Sequence, residues 1–230
     1  MMLLGVIAPL AAAMPATSLA QPHDTTSNMP TNVRPDDRQL ALDRQIAARI
    51  DELAAQLDTA SAAALTRNER FWRDWLDTLP MKAKRLGARE DEVAELMVEA
   101  RTMRLSFLDL IDTDTHDDLR GGWSDGVQEM LLDINASGGA KLMTTGEHIG
   151  EEKSVCVIEG TATQVADGFD IALKGMPDTT VQLRRNGLAL SVDVPAGEQA
   201  VGSYCTIGGR IAGEYFYLPN SEELVPWLLG

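Results

Sequence analysis

The sequence has few of the residues that build most catalytic and metal centres. It contains two cysteines and three histidines, and one of these, His23, lies in a polar N-terminal segment. Zinc catalysis needs more nitrogen or sulfur ligands than this chain supplies, and we expect no metal and no cofactor. Basic residues are also scarce, because 20 Lys and Arg face 35 Asp and Glu, for a net charge of −15. Since phosphate binding needs clustered Lys and Arg, we expect no nucleic-acid partner.

The sequence also lacks an apolar run long enough to cross a membrane. The stretch before Asp24 carries no charge, but two prolines interrupt it, and a span needs roughly 20 apolar residues. The small residues Ser18 and Ala20 fit the substrate pocket of a signal peptidase. We therefore predict a signal peptide over residues 1–20 that is cleaved after Ala20. The expected mature protein is periplasmic or secreted, with no stable membrane insertion.

The two cysteines, Cys156 and Cys205, both lie in the C-terminal part of the chain. In an oxidising compartment an isolated pair is most simply a disulfide bond. Closing a loop of about 50 residues would stabilise the fold by roughly 4 kcal/mol in the chain-entropy account. The alternative is two free thiols, although neither cysteine has a Cys-x-x-Cys partner or a nearby histidine. We predict one disulfide between them.

Residues 21–35 are rich in Pro, Thr, Ser and Asn, and we predict a flexible linker there. From Asp36 or Asp37, the expected N-cap, apolar residues recur every three or four positions, as in helices. A break near Ser61 separates the first two predicted helices, and the second is expected to stop at Pro80. A third is predicted over about 88–111, and a fourth is predicted to end at Gly138-Gly139. The fourth rests on the stripe Leu119, Trp123, Val127, Met130, Leu131 and Ile134. These stripes predict a helical bundle over residues 36–138.

After Gly139 the apolar period changes to two, as in strands. Residues 169–173 and 188–194 alternate between apolar and polar side chains, and further strands are expected over 155–162, 180–184 and 209–218. Asp167-Gly168 and Asn186-Gly187 are typical of tight hairpin turns. We predict that residues 139–230 form an antiparallel sandwich or barrel stapled by the disulfide, which makes the fold class α+β. Trp227 and Leu228 are expected to return to the core.

The segment Gly122-Trp123-Ser124-Asp125-Gly126 matches the G-x-S-x-G nucleophile elbow of serine hydrolases. An elbow serine follows a buried strand and needs a histidine later in the chain. Here the preceding residues are acidic, and His148 is the only downstream histidine. We therefore expect no catalytic residue. Ser124 or Asp125 should lie near a helix start, and Trp123 should lie in the core.

An acidic cluster precedes this motif and consists of Asp112, Asp114, His116, Asp117 and Asp118. Aligned as a calcium loop from Asp112, the sixth position holds Asp117 instead of glycine, and the twelfth holds Trp123 instead of the bidentate glutamate. Carboxylates at a helix N-terminus complement the helix dipole without an ion. We expect no metal site, while ion binding by this cluster stays an open alternative.

The stretch Leu65-Thr-Arg-Asn-Glu-Arg-Phe-Trp-Arg-Asp-Trp and the later Glu99-Ala-Arg-Thr-Met-Arg resemble the LprI-type lysozyme inhibitor domain. Leu65, Arg70 and Trp72 fall on that family's Leu and polar-Arg-x-Trp positions. Glu69 stands where the family usually has Gln, and the family's N-domain cysteines are missing. The segments Cys156-Val-Ile-Glu-Gly, Ser203-Tyr-Cys and Gly209-Arg-Ile-Ala-Gly-Glu-Tyr are similar to small β modules attached to such domains.

The resemblance spans roughly residues 36–218 and implies an exported, non-catalytic envelope protein. Such a protein is expected to bind a lysozyme or a related cell-wall hydrolase, with inhibition as the consequence. The family supplies no inhibitory residues to carry over, so the partner-binding residues stay unknown. The acidic surface would complement a basic partner. The alternative is a periplasmic structural or adaptor module without inhibitory activity, whose bundle docks a helix of its partner.

Overall fold

The protein is described by a computed structural model over residues 34–116, 118–146 and 154–218. The expected signal peptide, most of the linker, Asp117 and His148 lie outside the described residues. Trp227 and Leu228 lie outside them as well, so cleavage after Ala20 and the return of the tail to the core stay predictions.

Within these ranges, three α-helices come first along the chain, and eight strands follow. The helices are α1 (Pro35–Gln56), α2 (Thr59–Arg85) and α3 (Glu90–Leu110). The strands are β1 (Gly121–Ser124), β2 (Gln128–Ile134), β3 (Gly139–Gly146), β4 (Ser154–Val165), β5 (Gly168–Leu173), β6 (Met176–Asn186), β7 (Ala189–Asp193) and β8 (Gly213–Tyr217). A 3-10 helix, Glu198–Tyr204, lies between β7 and β8. This order confirms an α+β fold in which helices precede an antiparallel sheet.

The predicted first helix is present, with a start slightly earlier than expected. Arg34 occupies the N-cap position and Pro35 the first helical position, where the fixed φ of proline is already suited to a helix. Asp36 and Asp37 are therefore not caps. They lie in the first turn, where carboxylates complement the positive end of the helix dipole.

The predicted break near Ser61 lies at Asp58, which caps α2. The Asp58 carboxylate accepts hydrogen bonds from the backbone N–H groups of Ala60 at 2.8 Å and Ser61 at 3.1 Å. These two donors have no partner within a helix, so the aspartate satisfies the polar groups that the helix start exposes. α1 ends at Gln56, and with this cap α2 begins three residues later, at Thr59.

The predicted stop at Pro80 is wrong, because α2 continues to Arg85. Proline removes one backbone hydrogen bond from a helix interior, which disfavours the helix locally. Leu79 before it lies in the helical core, and Ala83 after it is also buried. Their burial stabilises the last turns and outweighs the missing hydrogen bond.

The predicted fourth helix is also wrong, because its residues form β1 and β2. Gly121 and Gly126 have φ angles of 125° and 83°, which a right-handed helix does not contain. Met130 and Leu132, two positions apart, both belong to the core of the barrel, as expected for one face of a strand. The apolar residues recur at spacings of three and four, which suggested a helix. A spacing of four also fits one face of a strand, because residues on one face are an even number of positions apart. The Gly138-Gly139 pair marks the β2–β3 turn instead of a helix end.

The eight strands form a closed antiparallel barrel, in which each strand pairs with its sequence neighbours and β8 pairs with β1. The predicted antiparallel meander therefore closes on itself and is not a sandwich. Large side chains fill the interior, including the fully buried Trp123, Met130, Leu142, Ile158 and Tyr215. An eight-stranded barrel has an interior just wide enough for such packing.

Both predicted hairpins are present, with each turn displaced by one residue. Val165 pairs with Gly168, and Asn186 pairs with Ala189, so the turns centre on residues 166–167 and 187–188. Gly187 has a φ of 66°, the left-handed conformation that a tight hairpin turn requires.

The predicted disulfide joins Cys156 and Cys205. Cys156 lies on β4 and is fully buried in the barrel core, and Cys205 follows the 3-10 helix. The two residues also form an isolated antiparallel bridge. The bond therefore ties the long connection between β7 and β8 to the wall of the barrel.

The helices form a second core against the outer face of the barrel. Ala189 on β7 and Phe216 on β8 belong to this core, and the rings of Phe107 and Phe216 meet edge to face with centroids 6.3 Å apart. The helices thus pack on β7 and β8 and not only on one another. Within the described ranges, no helix combines the length and the apolar character that crossing a bilayer requires.

Candidate functional site

The Gly-Trp-Ser-Asp-Gly motif forms the end of β1 and the turn into β2. The Ser124 hydroxyl donates to the Gln128 carbonyl and accepts from the Gly126 N–H, both at 3.0 Å. The Asp125 carboxylate accepts from the N–H groups of Val127 and Gln128, both at 2.8 Å. The polar side chains of the motif therefore close a β-turn, and the expectation that Ser124 or Asp125 lies near a helix start is wrong.

The hydroxyl of Ser124 has no catalytic base in the part of the chain that the structure describes. His116 is the only histidine there, and its ring lies 3.0 Å from Asp112 and stacks on Tyr217 with centroids 4.0 Å apart. A serine nucleophile needs a base within hydrogen-bonding reach. Trp123 is fully buried as expected, and its indole N–H donates to the Leu119 carbonyl at 2.9 Å.

A fully buried arginine on α3, Arg104, contacts this turn through the Asp125 carbonyl, 3.4 Å away. Arg104 donates to the Glu69 carboxylate at 2.9 and 3.2 Å and to the Asn68 side-chain oxygen at 2.7 Å. Its guanidinium carbon lies 5.4 Å from the ring centroid of Trp72 and 5.0 Å from that of Phe107. Burial lowers the pKa of Arg104, and the neighbouring Glu69 carboxylate opposes that shift.

Asn68 connects this arginine to the barrel. Its amide donates to the backbone carbonyls of Asp125 and Glu214, both at 2.9 Å. Asn68 is 1% exposed, so both bonds form away from water, where an unpaired polar group is costly. Gly126 must be glycine here, because a Cβ atom would lie 2.8 Å from both Arg104 and Phe107. The helices and the barrel are therefore joined by a fixed polar contact at the motif.

The same turn reaches across the end of the barrel to Arg210. The Asp125 carboxylate forms an ion pair with Arg210, whose guanidinium lies 3.7 Å above the Phe71 ring. Gln128 donates to the Arg210 carbonyl at 3.2 Å and to the Tyr215 hydroxyl. Burial raises the pKa of Tyr215, and the nearby Asp125 charge adds to that rise. This tyrosine therefore stays neutral and fills a structural role.

The acidic cluster is partly paired within itself and with a neighbouring arginine. Asp112 accepts from the N–H of Asp114 at 2.8 Å, and Asp118 forms an ion pair with Arg120. The backbone N–H of Asp114 and the His116 side chain lower the pKa of Asp112. Among the described residues, no three His, Cys, Asp or Glu side chains are grouped as a metal ion would need.

The three residues that match the LprI-type motif do not share one environment. Leu65 and Trp72 are buried in the helical core, whereas Arg70 is exposed. Glu69, where the family usually has Gln, is the carboxylate that pairs with Arg104 and also with Arg73 at 2.8 Å. Leu65 and Trp72 therefore support packing, and Glu69 forms an ion pair with the buried Arg104.

A groove separates α2 from the turn end of the barrel, and we call it the α2 groove. Its volume is about 580 Å³. Its lining combines apolar side chains with polar and charged ones: Phe71, Trp75, Leu79, Leu86 and Val127 with Asp74, Thr78, Lys82, Arg85, Gln128, Ser154 and Arg210. An adjoining cavity of about 340 Å³ shares Trp75 and Val127 and extends to α3. Leu86 is 66% exposed, so the rim of the α2 groove presents apolar surface to water. Such surface next to aromatic side chains is typical of a docking site.

Beside the α2 groove, residues 205–209 form a turn that presents Ile207 to solvent, and we call it the Ile207 turn. Ile207 is 92% exposed, while the neighbouring Gly208 and Arg210 line the groove. The sequence gives no periodic signal for this residue, because it lies between the 3-10 helix and β8. Sequence reasoning missed both this turn and the Arg104 network.

The acidic charge of the protein is concentrated in the C-terminal half of the sequence. Residues 112–230 contain 19 Asp and Glu against 7 Lys and Arg, which gives −12 of the total net charge of −15. The helical half is nearly balanced. Exposed carboxylates on the barrel include Glu129, Asp178 and Asp193.

Comparisons with models of protein families, with curated proteins and with solved structures find no match for this chain. The resemblance to the LprI-type domain therefore stays a prediction.

Proposed function

We propose that the protein is an exported, non-catalytic binding protein whose partner is a basic protein, in the first place a lysozyme or a related cell-wall hydrolase. The observation that carries the proposal is the net charge of the C-terminal half of the sequence, −12 over residues 112–230. A net excess of negative charge attracts a positively charged partner over a distance and raises the association rate.

Two further features support a binding role. The one motif that suggested catalysis is a structural turn, since the Ser124 hydroxyl bonds to backbone groups of its own turn. The disulfide between Cys156 and Cys205 suits a protein that works in an oxidising compartment. The proposed partner class, a lysozyme or a related cell-wall hydrolase, is taken from the resemblance of the α2 segment to the LprI-type domain.

The test is a titration of a panel of basic lysozymes with the purified protein. Binding is followed by calorimetry and inhibition by the clearing of a bacterial cell-wall suspension. We expect binding that weakens steeply as salt rises, because the attraction between the two surfaces is screened. Absence of binding to every lysozyme in the panel would refute the proposal.

Two matched variants locate the charge effect. The barrel variant replaces Glu129, Asp178 and Asp193 with their amides, and the helix variant does the same to Asp36, Asp51 and Asp77. All six carboxylates are exposed, and both variants remove three negative charges. We expect the barrel variant to associate about 10-fold more slowly and the helix variant to change little. Equal effects would show that only net charge matters.

A second candidate is an adaptor that docks an amphipathic helix of another envelope protein, and the α2 groove favours it. The groove places half-buried Phe71 and Trp75 beside exposed Leu86, a composition suited to the apolar face of a helix. Its test is Leu86→Asp against the control Leu40→Asp, since Leu40 is 57% exposed on α1 and lies outside the groove. If only Leu86→Asp abolishes capture of an amphipathic helical peptide, this candidate gains over the first.

A further inference from the structure

We propose that the α2 groove binds a small amphiphile that carries one anionic group, a carboxylate or a phosphate, on an apolar chain. A volume of about 580 Å³ lies within the range of about 300–1,000 Å³ that is usual for small-molecule sites. The inference goes beyond the proposed function, because it depends neither on a basic partner nor on the acidic C-terminal half of the sequence. It also gives the groove a different occupant from the helix of the second candidate.

α2 lines the groove with one of its faces, and this face is aromatic at one end and basic at the other. The residues that α2 contributes recur three or four positions apart, as expected for one face of a helix. Phe71 and Trp75 come first, and Lys82 and Arg85 follow about two turns later. At 1.5 Å per residue, Trp75 and Arg85 lie about 15 Å apart along the helix axis. The groove therefore offers an apolar end and a cationic end to one elongated ligand.

The charges in the lining are mostly positive, although the net charge of the whole protein is −15. The lining contains the cations Lys82, Arg85 and Arg210 and one carboxylate, Asp74. Arg210 is already paired with Asp125. Lys82 and Arg85 therefore form the cationic end. An anion that approaches the protein is attracted to this place, while the net charge of the protein disfavours its binding elsewhere.

The charges of Lys82 and Arg85 are available to a ligand. Lys84, in the same turn, pairs with Glu90 at 3.9 Å, but among the described residues no carboxylate pairs with Lys82 or Arg85. Both side chains are exposed. They complement the C-terminal dipole of α2, and this interaction leaves most of their N–H donors unused. Two such neighbours can bind a carboxylate or a phosphate through charge-assisted hydrogen bonds.

The aromatic end of the groove is already ordered. The Arg210 guanidinium lies 3.7 Å above the Phe71 ring and pairs with the Asp125 carboxylate. The buried Gln128 donates to the Arg210 carbonyl at 3.2 Å and to the Tyr215 hydroxyl. These contacts hold Phe71 and Gln128 in place before a ligand binds. A pre-ordered site loses little conformational entropy on binding, so most of the buried area contributes to affinity.

The two ends together select an amphiphile. Phe71 and Trp75 are half-buried, so each has ring surface that an apolar chain can cover, and the gain grows with the area removed from water. Leu86, 66% exposed, adds apolar surface beside the two cations. An uncharged apolar molecule would use only the first end, and a simple anion would use only the second. A chain with an anionic head group uses both.

The test measures binding of dodecanoate and dodecyl phosphate to the purified protein by calorimetry, below the concentrations at which these probes form micelles. The control probes are butyrate, which keeps the carboxylate on a short chain, and dodecyltrimethylammonium, which keeps the chain and reverses the charge. We expect one molecule of each anionic dodecyl probe to bind per chain. Both control probes should bind at least about 10-fold more weakly.

Two matched double variants locate the head group. The first combines Lys82→Gln with Arg85→Gln, and the second combines Lys84→Gln with Arg44→Gln. All four cations are exposed, and only the first two line the groove. We expect the first variant to bind dodecanoate about 10-fold more weakly and the second to stay within about twofold. Thermal unfolding of both variants identifies any loss of binding that comes from unfolding.

Each other outcome would overturn the inference. Failure of both anionic dodecyl probes to bind would refute it, and so would equally tight binding of dodecyltrimethylammonium, since apolar contact alone would then suffice. Equal losses in the two double variants would remove the head group from Lys82 and Arg85. If an amphipathic helical peptide binds and dodecanoate does not displace it, the groove belongs to the second candidate. The lysozyme titration is independent, so its failure would refute the proposed function alone.

Discussion

Replacement of Arg104 by methionine tests whether the buried polar network holds the helices on the barrel. Methionine keeps most of the length and apolar volume of the side chain but removes every donor. Glu69 and Asn68 then lose their bonds to the guanidinium, and Trp72 and Phe107 lose the cation between their rings. Removing one partner of a buried ion pair destabilises by about 3–5 kcal/mol, because the other charge stays buried.

The expected value lies at the lower end of that range. Glu69 also contacts Arg73 at 2.8 Å, and its side chain is 13% exposed, so its charge is partly compensated after the substitution. We therefore expect Arg104→Met to lower the free energy of unfolding by about 3 kcal/mol, equivalent to a fall in Tm of about 6–12 °C. Urea unfolding followed by tryptophan fluorescence measures this directly.

The double variant supplies the decisive comparison. Glu69→Gln alone leaves the buried Arg104 without its carboxylate, whereas Arg104→Met with Glu69→Gln leaves no uncompensated charge. We expect the double variant to lose clearly less stability than the sum of the two single variants, with a coupling of about 1–3 kcal/mol. A loss below about 1 kcal/mol for Arg104→Met, or strict additivity, would refute the reasoning.

Substitutions at Gly187, Asp58, Trp123 and Ser124 test single features of the fold. Gly187→Ala should destabilise the fold by more than Gly197→Ala. Both glycines have a positive φ, so each substitution costs about 1–2 kcal/mol in backbone strain, but only at Gly187 does the new Cβ lie 2.1 Å from the Ser61 hydroxyl. Equal losses of stability in chemical denaturation would contradict this. Asp58→Ala should cost about 0.5–2 kcal/mol by loss of the α2 cap. The Ser61 hydroxyl and backbone N–H lower the pKa of Asp58. The ionised carboxylate therefore stabilises the fold above about pH 4, and this contribution is lost as the pH falls through the folded pKa. The stability of Asp58→Asn should not show that loss. Trp123→Ala should cost about 3–5 kcal/mol and Ser124→Ala about 1–3 kcal/mol in the same urea assay, and the reverse order would argue against the buried turn.

The sequence was most informative where one periodic pattern dominated. The stripe at Leu42, Ile46 and Leu53 fits only a helix, and all three residues are buried on α1. After residue 154 the sequence predicted five strands that the structure contains, two of them from clear alternation, and two hairpin signals separated β4 from β5 and β6 from β7. Between residues 119 and 134 the pattern fitted both a helix and a strand, and three glycines were the better guide, since they disfavour helix interiors.

The contacts of the candidate site were beyond prediction for a different reason. Arg104, Asn68 and Asp125 are separated by 21 to 57 residues, and nothing local in the sequence indicates that they meet. A polar residue on a predicted helix reads as exposed unless its buried partner is known. Ile207 presents the opposite problem, because an isolated isoleucine in a loop reads as core until the fold shows that it is not.

The closure of the barrel has a consequence for how the chain matures. β1 and β8 complete the ring through the pairs Trp123↔Tyr217 and Ser124↔Phe216, and Phe216 also belongs to the core on which the helices pack. During synthesis, neither the ring nor the part of the helical core that contains Phe216 can form until β8 has emerged. A product that ends before residue 213 would expose the open edges of β1 and β7, and unpaired strand edges recruit other chains. Premature release of this protein therefore favours aggregation over a shortened native form.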